Sequence, residues 1–344
     1  MKTVQIKDKK IGDGYPVYIV AEIGGNFSTY EEGRRLIEEA IAAGVNGIKI
    51  QTFKADTLAA RSARYEMENT GNISQWELFK EYELSEAVQF KLFNFMAGKE
   101  QAFFSTPSHY ADVEFLEQFH PPVYKIGSDD WINIPFLRYV ARLRRPIIMS
   151  LGMCTMHEAE DAVSAILEEG NNDLVLMHCV TAYPAKKEHS NLKVIQSLKE
   201  KFNLPVGFSD HSIGYDMSYA AVALGAHVVE RHFTLDKSAK GPDHQFSLTP
   251  QEMKEFVAGL RELEIALGDG VKKLSGEELL NRKNNSKSIV STQNIHAGDI
   301  LDHGKIAIKR PGMGIEPKFI EQIIGKRAIA DIEAEQAITW EMIK

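Results

Sequence analysis

The stretch PVGFSDHSIGYDMSYAAVALGAHVVERHF (205–233) decides the fold. It reads as a short buried strand ending at His211, a segment with helical periodicity, and a second buried strand reaching His232. Six apolar runs of the same kind precede it: VYIVAEIG (17–24), GIKIQTF (47–53), AFFSTP (102–107), VYKIGS (123–128), PIIMSLG (146–152) and LVLMHCV (174–180). Helical patterns separate them. Eight buried strands alternating with helices predict a (β/α)8 barrel, a TIM barrel of the α/β class, whose active site lies at the carboxyl ends of the strands. The polar residues that close the runs would then converge on one mouth.

Two helices can be read in detail. In YEEGRRLIEEAIAAG (30–44), Leu36, Ile37, Ala40 and Ile41 share a face, and Gly44 is placed to end the helix. In 249–268, Met253, Phe256, Val257, Leu260 and Leu263 repeat the pattern, Thr249 is the N-cap, Pro250 suits N1, and Glu252 completes a capping box. The excursion over 54–84, containing Arg61, Arg64, Tyr65 and Asn72, is too long for a plain loop and reads as a substrate lid. After it the barrel grammar continues to residue 269. A polar, linker-like stretch (270–286) follows, and then short β-type pieces with turn glycines form a small β-rich domain over 287–344.

Composition narrows the function. The chain has 344 residues, 44% of them hydrophobic and 26% charged, ordinary values for a globular enzyme. A net charge of −8 speaks against nucleic acid as a partner. Cys154 and Cys179 are the only cysteines, so no disulfide framework is expected and a reducing cytoplasm fits. The start of the chain has no apolar leader, and no run approaches the roughly 18 apolar residues of a membrane span. A cytoplasmic protein without a membrane partner is the expectation.

Several side chains carry chemistry. His211 and His232 end neighbouring strands, and residues two apart in a strand share a face, so Ser209 points with His211 and Glu230 with His232. Strands about 4.8 Å apart would let the two imidazoles grip one divalent cation; the alternative is a pair of buried histidines bonded to backbone. Lys49 and Lys125 lie within apolar runs, where a lysine is costly unless paired. Either they fill the barrel as ion pairs with Glu22 or Glu230, or they clamp an anion together with the hydroxyls of Ser105, Thr106, Ser128, Ser150 and Ser209. Glu22 is an acid–base candidate or a partner of Lys49. Cys179 and His178 read as core residues, and Asp243 and His244 overhang the mouth.

In this order the motifs AEIGGN (21–26), KIQTF (49–53), FSTP (104–107), YKIGS (124–128), SLGM (150–153), GFSDHSIG (207–214), VVERHFTLD (228–236) and GPDH (241–244) resemble the sialic acid synthase family, the phosphoenolpyruvate-dependent synthases of nine-carbon 2-keto acids. KRPGMG (309–314) and GKRAIADI (325–332) look like the small antifreeze-like (SAF) domain that follows that barrel. The resemblance spans essentially the whole chain. It implies condensation of phosphoenolpyruvate with N-acetylmannosamine to N-acetylneuraminate, with His211 and His232 holding Mn²⁺ or Mg²⁺. It assigns Lys49, Thr106, Lys125, Ser128, Ser150 and Ser209 to phosphoenolpyruvate, places Glu22 and Gln51 toward the reacting centre, and turns Tyr183 and Asp243 toward the amino sugar. It also implies a homodimer in which the SAF domain of one subunit reaches over the other's mouth, with Arg310 touching the N-acyl group.

Two positions depart from the family pattern. Thr181 stands where Asn or Ser is usual, and Asp129-Asp130 replace a glutamate, making Asp130, with Glu22 and Glu230, a candidate proton carrier. Both changes point to a related sugar, such as the 2,4-diacetamido-6-deoxy precursors of legionaminic or pseudaminic acid. The rivals are condensation with an aldose phosphate and a non-catalytic carbohydrate-binding barrel.

Overall fold

The structure, a computed structural model, describes residues 2–67 and 71–344. It divides into two units, Met1–Gly268 and Asp269–Lys344. In the first, each of the eight apolar runs holds one strand: β1 (Tyr18–Glu22), β2 (Gly47–Thr52), β3 (Ala102–Pro107), β4 (Tyr124–Ile126), β5 (Ile147–Ser150), β6 (Leu174–Cys179), β7 (Val206–Asp210) and β8 (Val228–His232). All the ladders are parallel, in the order 3-2-1-8-7-6-5-4, so the first barrel strand pairs with the last. At the seam β3 and β4 lie side by side without ladder hydrogen bonds.

Alternation along the strands builds two cores. Ile19, Ile48, Ile50, Ile147, Met149, Leu176 and Phe208 face outward and pack with helix residues such as Leu36, Ile37, Phe136 and Phe256. Tyr18, Val20, Phe104, Val123, Ile148, Val175, Met177 and Val228 face inward, where Val4, Ile6 and Ile11 of the N-terminal hairpin close the bottom of the barrel. Two residues beyond these apolar positions the inward set turns polar. Glu22 follows Val20, Thr106 follows Phe104, Lys125 follows Val123, Ser150 follows Ile148 and Glu230 follows Val228. The strand period therefore delivers a charged layer above an apolar plug.

The two helices read from sequence span Tyr30–Ala42 and Pro250–Leu267. Capping boxes at Thr29/Glu32 and Thr249/Glu252 start them, and Gly44 follows the first at φ +88°, a conformation that favours glycine. The excursion after β2 is structured. It contains a short helix (Ala55–Leu58), a hairpin (Arg64–Met67 with Gly71–Ser74) and a helix (Gln75–Tyr82); residues 68–70 of it lie outside the described residues.

The second unit starts with a difference from the sequence reading. Most of the linker-like stretch 270–286 is a helix, Gly276–Asn285, begun by a Ser275/Glu278 capping box and with no buried residue. Its largely polar sequence, with only the exposed Leu279 and Leu280 apolar and no buried face, is what made it look like a linker. Beyond it Ser288–Ser291 pairs antiparallel with Ile306–Lys309, and single bridges such as Ile295 with Ile332 and Ala328 with Ile343 complete the β framework. Its core is mostly isoleucine: Ile289, Ile295, Ile306, Ile315, Ile323, Ile332, Ile338 and Ile343 with Leu301 and Ala328. No helix among the described residues is long and apolar enough to cross a membrane.

Candidate functional site

A cavity of about 470 Å³ opens at the carboxyl ends of the barrel strands, within the range for small-molecule sites. Its floor is the polar layer. The Lys49 ammonium pairs with the Glu22 carboxylate and lies 3.6 Å from Glu230 Oε1. The Lys125 ammonium lies 3.8 Å from the same Glu230 oxygen and donates to Ser150 Oγ at 2.6 Å. Thr106 Oγ1 accepts from Lys49 at 3.3 Å, and Ser209 donates to Glu230 at 3.2 Å. The lysines are thus ion-paired with Glu22 and Glu230, and they also face a cavity.

The two ammoniums are not equivalent. Burial works against the charge on Lys49, but Glu22 and Glu230 outweigh it and hold its pKa above the usual lysine range. Lys125 shares only Glu230, feels Lys49 as a like charge, and is pushed below that range by burial. Glu230 is held ionised: burial opposes its charge, and Lys125 and Lys49 together overcome it. Lys125 is the cation that gains most from an incoming anion.

Beside the lysines, Ser128 accepts from the Gly152 N–H at 3.1 Å and meets Cys179 Sγ at 3.1 Å. Thr181 Oγ1 has no hydrogen-bond partner among the described residues and lines the same recess. Gly152 is required there. A Cβ would sit 2.4 Å from Thr181 Oγ1, 2.8 Å from Ser128 Oγ and 2.9 Å from Cys179 Sγ.

On the opposite side, His211 Nδ1 is 2.9 Å from the Val180 carbonyl, which leaves Nε2 as the lone-pair nitrogen. Burial, then the neighbouring His232, lowers the His211 pKa to about 4, so the imidazole is neutral. The His232 ring centroid is 5.4 Å away, its Nδ1 has no hydrogen-bond partner among the described residues, and Asp243 Oδ2 stands 3.3 Å from it. Tyr183 and Phe246 pack on both imidazoles, with ring centroids 4.4 Å between Tyr183 and His211 and 5.0 Å between Phe246 and His232. A neutral His211 imidazole with the unpartnered His232 nitrogen and a carboxylate beside it suit a divalent cation. No three His, Cys, Asp or Glu side chains among the described residues form a complete cage, so a cation here would take further oxygens from ligand or water.

The outer wall comes from the excursion: Phe53, Leu58, Tyr65, Gln75, Leu78, Phe79 and Tyr82. Phe79 is wedged edge-on between Phe53 (5.4 Å) and Tyr65 (6.0 Å). Arg61 and Arg64 stay outside it, Arg61 lying over the Trp76 ring at 3.4 Å. Lys49 and Lys125 are the only cationic side chains lining the cavity among the described residues, and both are on the floor.

Most of the residues singled out in the sequence meet here: Lys49, Gln51, Thr106, Lys125, Ser128, Ser150, Thr181, Tyr183, Ser209, His211, Glu230, His232 and Asp243 all line the cavity. Glu22 does not reach it. It is fully buried beneath, accepting from Gly24 N at 2.7 Å and Gln51 Nε2 at 3.3 Å and neutralising Lys49. Asp130 does not line the cavity either. β4 ends at Ile126 and the turn after it sends Asp129 into the cavity, while Asp130 is buried against Asn133 Nδ2 at 3.0 Å. Ser105 faces outward onto Thr52 at 2.6 Å, and His244 bonds Thr234 at 2.6 Å. Arg310 belongs to the second unit, exposed and joined to Pro311 by a cis peptide. Sequence reasoning missed Asp129 and the aromatics Phe53, Phe79 and Tyr82. The aromatic run over 76–82 was the only signal for Phe79 and Tyr82, and helix periodicity alone does not say which face looks into a cavity.

Comparison with known proteins places these features. The pattern of the NeuB family matches residues 36–272, and that of the SAF domain matches residues 286–344. The N,N'-diacetyllegionaminic acid synthase of Campylobacter jejuni is 38% identical over 327 residues, covering 93% of this chain and 98% of its own. A pseudaminic acid synthase of Campylobacter jejuni is 38% identical over 329 residues, covering 94% and 95%. The crystal structure of the N-acetylneuraminic acid synthetase of Leptospira borgpetersenii superposes with a TM-score of 0.74 at 30% identity, over 81% of this chain and 95% of that one. The chain belongs to the NeuB family and carries a SAF domain after its barrel.

Proposed function

We propose that this chain condenses phosphoenolpyruvate with the open-chain aldehyde of an unphosphorylated N-acyl-mannosamine-type sugar, releasing phosphate and a nine-carbon 2-keto acid. N-acetylmannosamine, giving N-acetylneuraminate, is the simplest such substrate. One observation carries the reading. A cation–hydroxyl recess and a histidine pair line one cavity whose outer wall holds no cation among the described residues. A single phosphate-bearing ligand suits the floor, and nothing above it among the described residues suits a second phosphate, which disfavours an aldose phosphate as partner.

In this reading Lys125, Ser150, Ser128 and Thr106 hold the phosphate and carboxylate of phosphoenolpyruvate, with Lys49 kept charged by Glu22. A divalent cation, Mn²⁺ or Mg²⁺, would be held by His211 and His232 and would supply Lewis-acid polarisation of the aldehyde oxygen. The C3 carbon of the enol forms the new C–C bond to the aldehyde carbon. Water adds at C2, and the C2–O bond breaks to release phosphate and leave the ketone. Glu230, ionised and 3.2 Å from Ser209, accepts a hydrogen bond that orients that water, while Tyr183 and Asp243 face the sugar. The family resemblance adds a cytoplasmic homodimer in which the SAF domain, through Arg310, closes the partner's cavity.

A second reading is favoured by the wall of Leu58, Tyr65, Leu78, Phe79 and Tyr82. Such a surface suits the methyl groups of a 2,4-diacetamido-2,4,6-trideoxyhexose better than a primary alcohol. The names of the two Campylobacter relatives fit it. The deciding experiment measures phosphate release from phosphoenolpyruvate by metal-loaded protein with each sugar and weighs the product by mass spectrometry. Absence of release with every unphosphorylated amino sugar would overturn the proposal.

A further inference from the structure

Behind the two histidines, on the outer face of the barrel, lies a charged pair that the proposed reaction does not use. Asp210 and Arg231 are direct register partners on β7 and β8. Each immediately precedes one of the histidines in sequence, so alternation sends these two side chains outward and the imidazoles inward. Both are essentially fully buried, with Arg231 Nη1 2.6 Å from Asp210 Oδ2.

The network around them grips the backbone on either side of the imidazoles. Asp210 Oδ1 accepts from Ser212 N at 2.9 Å and Ser212 Oγ at 2.7 Å, and its Oδ2 accepts from Ser218 Oγ at 2.6 Å. Arg231 Nη2 donates to the Ser212 carbonyl at 2.9 Å and reaches the Phe246 carbonyl at 3.5 Å. Ser212 follows His211, and the Phe246 ring packs on both imidazoles. The pair thus ties the residue before His211, the residue after it, the residue before His232 and the loop that covers both rings.

As stability alone this arrangement is poor. Arg231 Nε and Nη1 have no hydrogen-bond partner among the described residues, Nη1 meeting Asp210 as an ion pair only, and a buried ion pair is often matched or bettered by apolar residues of similar volume. What it supplies is direction, since the acceptors of one carboxylate and the donors of one guanidinium fix two strand ends to each other. We infer that Asp210 and Arg231 are positioning residues that set the separation and orientation of His211 and His232. The inference rests on the proposed reading of that histidine pair as a metal site.

The test is the paired replacement Asp210→Leu with Arg231→Met, which removes both charges without stranding either. Co²⁺ affinity is measured by titration and by the visible absorption of the bound ion, alongside the melting temperature and the affinity for phosphoenolpyruvate. The expected result is a melting temperature equal to or above that of the unaltered protein and unchanged phosphoenolpyruvate affinity. Co²⁺ binding should be weaker by about 10- to 100-fold, with an altered absorption band. A folded variant with Co²⁺ affinity within about twofold of the original and an unaltered band overturns the inference. If the paired variant does not fold, Arg231→Lys is read in the same way, because it keeps the charge but cannot span Asp210 and the Ser212 carbonyl together. His211→Ala separates the two failures: undiminished Co²⁺ binding in that variant would remove the metal site itself, and the positioning role with it.

Discussion

The Lys125 ammonium sits 2.6 Å from the hydroxyl of Ser150. This hydrogen bond replaces the second carboxylate that its neighbour Lys49 enjoys, and burial lowers the Lys125 pKa while that of Lys49 is raised. A lysine with a lowered folded-state pKa reduces stability when it is forced to carry its charge. Lys125→Met should therefore leave the melting temperature unchanged or raise it, while phosphoenolpyruvate affinity falls about 10- to 100-fold with the loss of a charged hydrogen bond. Lys49→Met should do the opposite to the fold, since it strands Glu22 and leaves Glu230 with Lys125 as its one cation. A loss of about 3–5 kcal/mol in denaturant unfolding is expected. Equal melting temperatures for the two variants would refute the division of roles.

Gly152 marks the recess assigned to the phosphate. A methyl group there would meet Thr181, Ser128 and Cys179, all short side chains that cannot swing far. Gly152→Ala is expected to cost about 1–3 kcal/mol of stability by overpacking. It should also raise the KM for phosphoenolpyruvate about tenfold or more while leaving the KM for the sugar within a few-fold. Steady-state kinetics with each substrate varied in turn checks this.

Phe79 tests the opposite end of the cavity. Phe79→Ala removes a ring wedged between Phe53 and Tyr65. The apolar surface that ring offers the sugar is worth about 1–2 kcal/mol, so the sugar's KM should rise about 5- to 30-fold. The effect should be larger for a 2,4-diacetamido-6-deoxy sugar than for N-acetylmannosamine if the wall reads methyl groups. A rise in the phosphoenolpyruvate KM instead would place the wall elsewhere in the reaction.

The strands, their order of burial and the histidine pair were legible because a period of two in an apolar run leaves few alternatives. The charged layer was legible for the same reason: Lys49 and Lys125 interrupt runs that otherwise exclude charge. What escaped was whatever depends on a turn. Asp129 and Asp130 are adjacent, and one residue's difference in the bend after β4 decides which carboxylate enters the cavity. The helix Gly276–Asn285 escaped because it buries nothing, so no periodicity marks it. The Asp210–Arg231 pair was hidden by its own location, outward residues of a strand being expected to be apolar there.

Asp130 gives a pH-dependent test of its own. Burial first, and Asp129 second, raise its pKa from 3.8 to about 6. Between those values the folded protein binds more protons than the unfolded chain, so stability falls as pH rises through this window. Below about 4 the penalty is absent. Above about 6 it is complete and amounts to about 1–3 kcal/mol. Asp130→Asn keeps the acceptor for Asn133 and removes the charge. Its melting temperature should match that of the unaltered protein near pH 4 and exceed it by about 2–6 °C at pH 7.5. Because Asp130 does not line the cavity, kcat at pH 7.5 should stay within a few-fold. A large loss of kcat without a change in melting temperature would return Asp130 to the role of proton carrier that the sequence suggested for it.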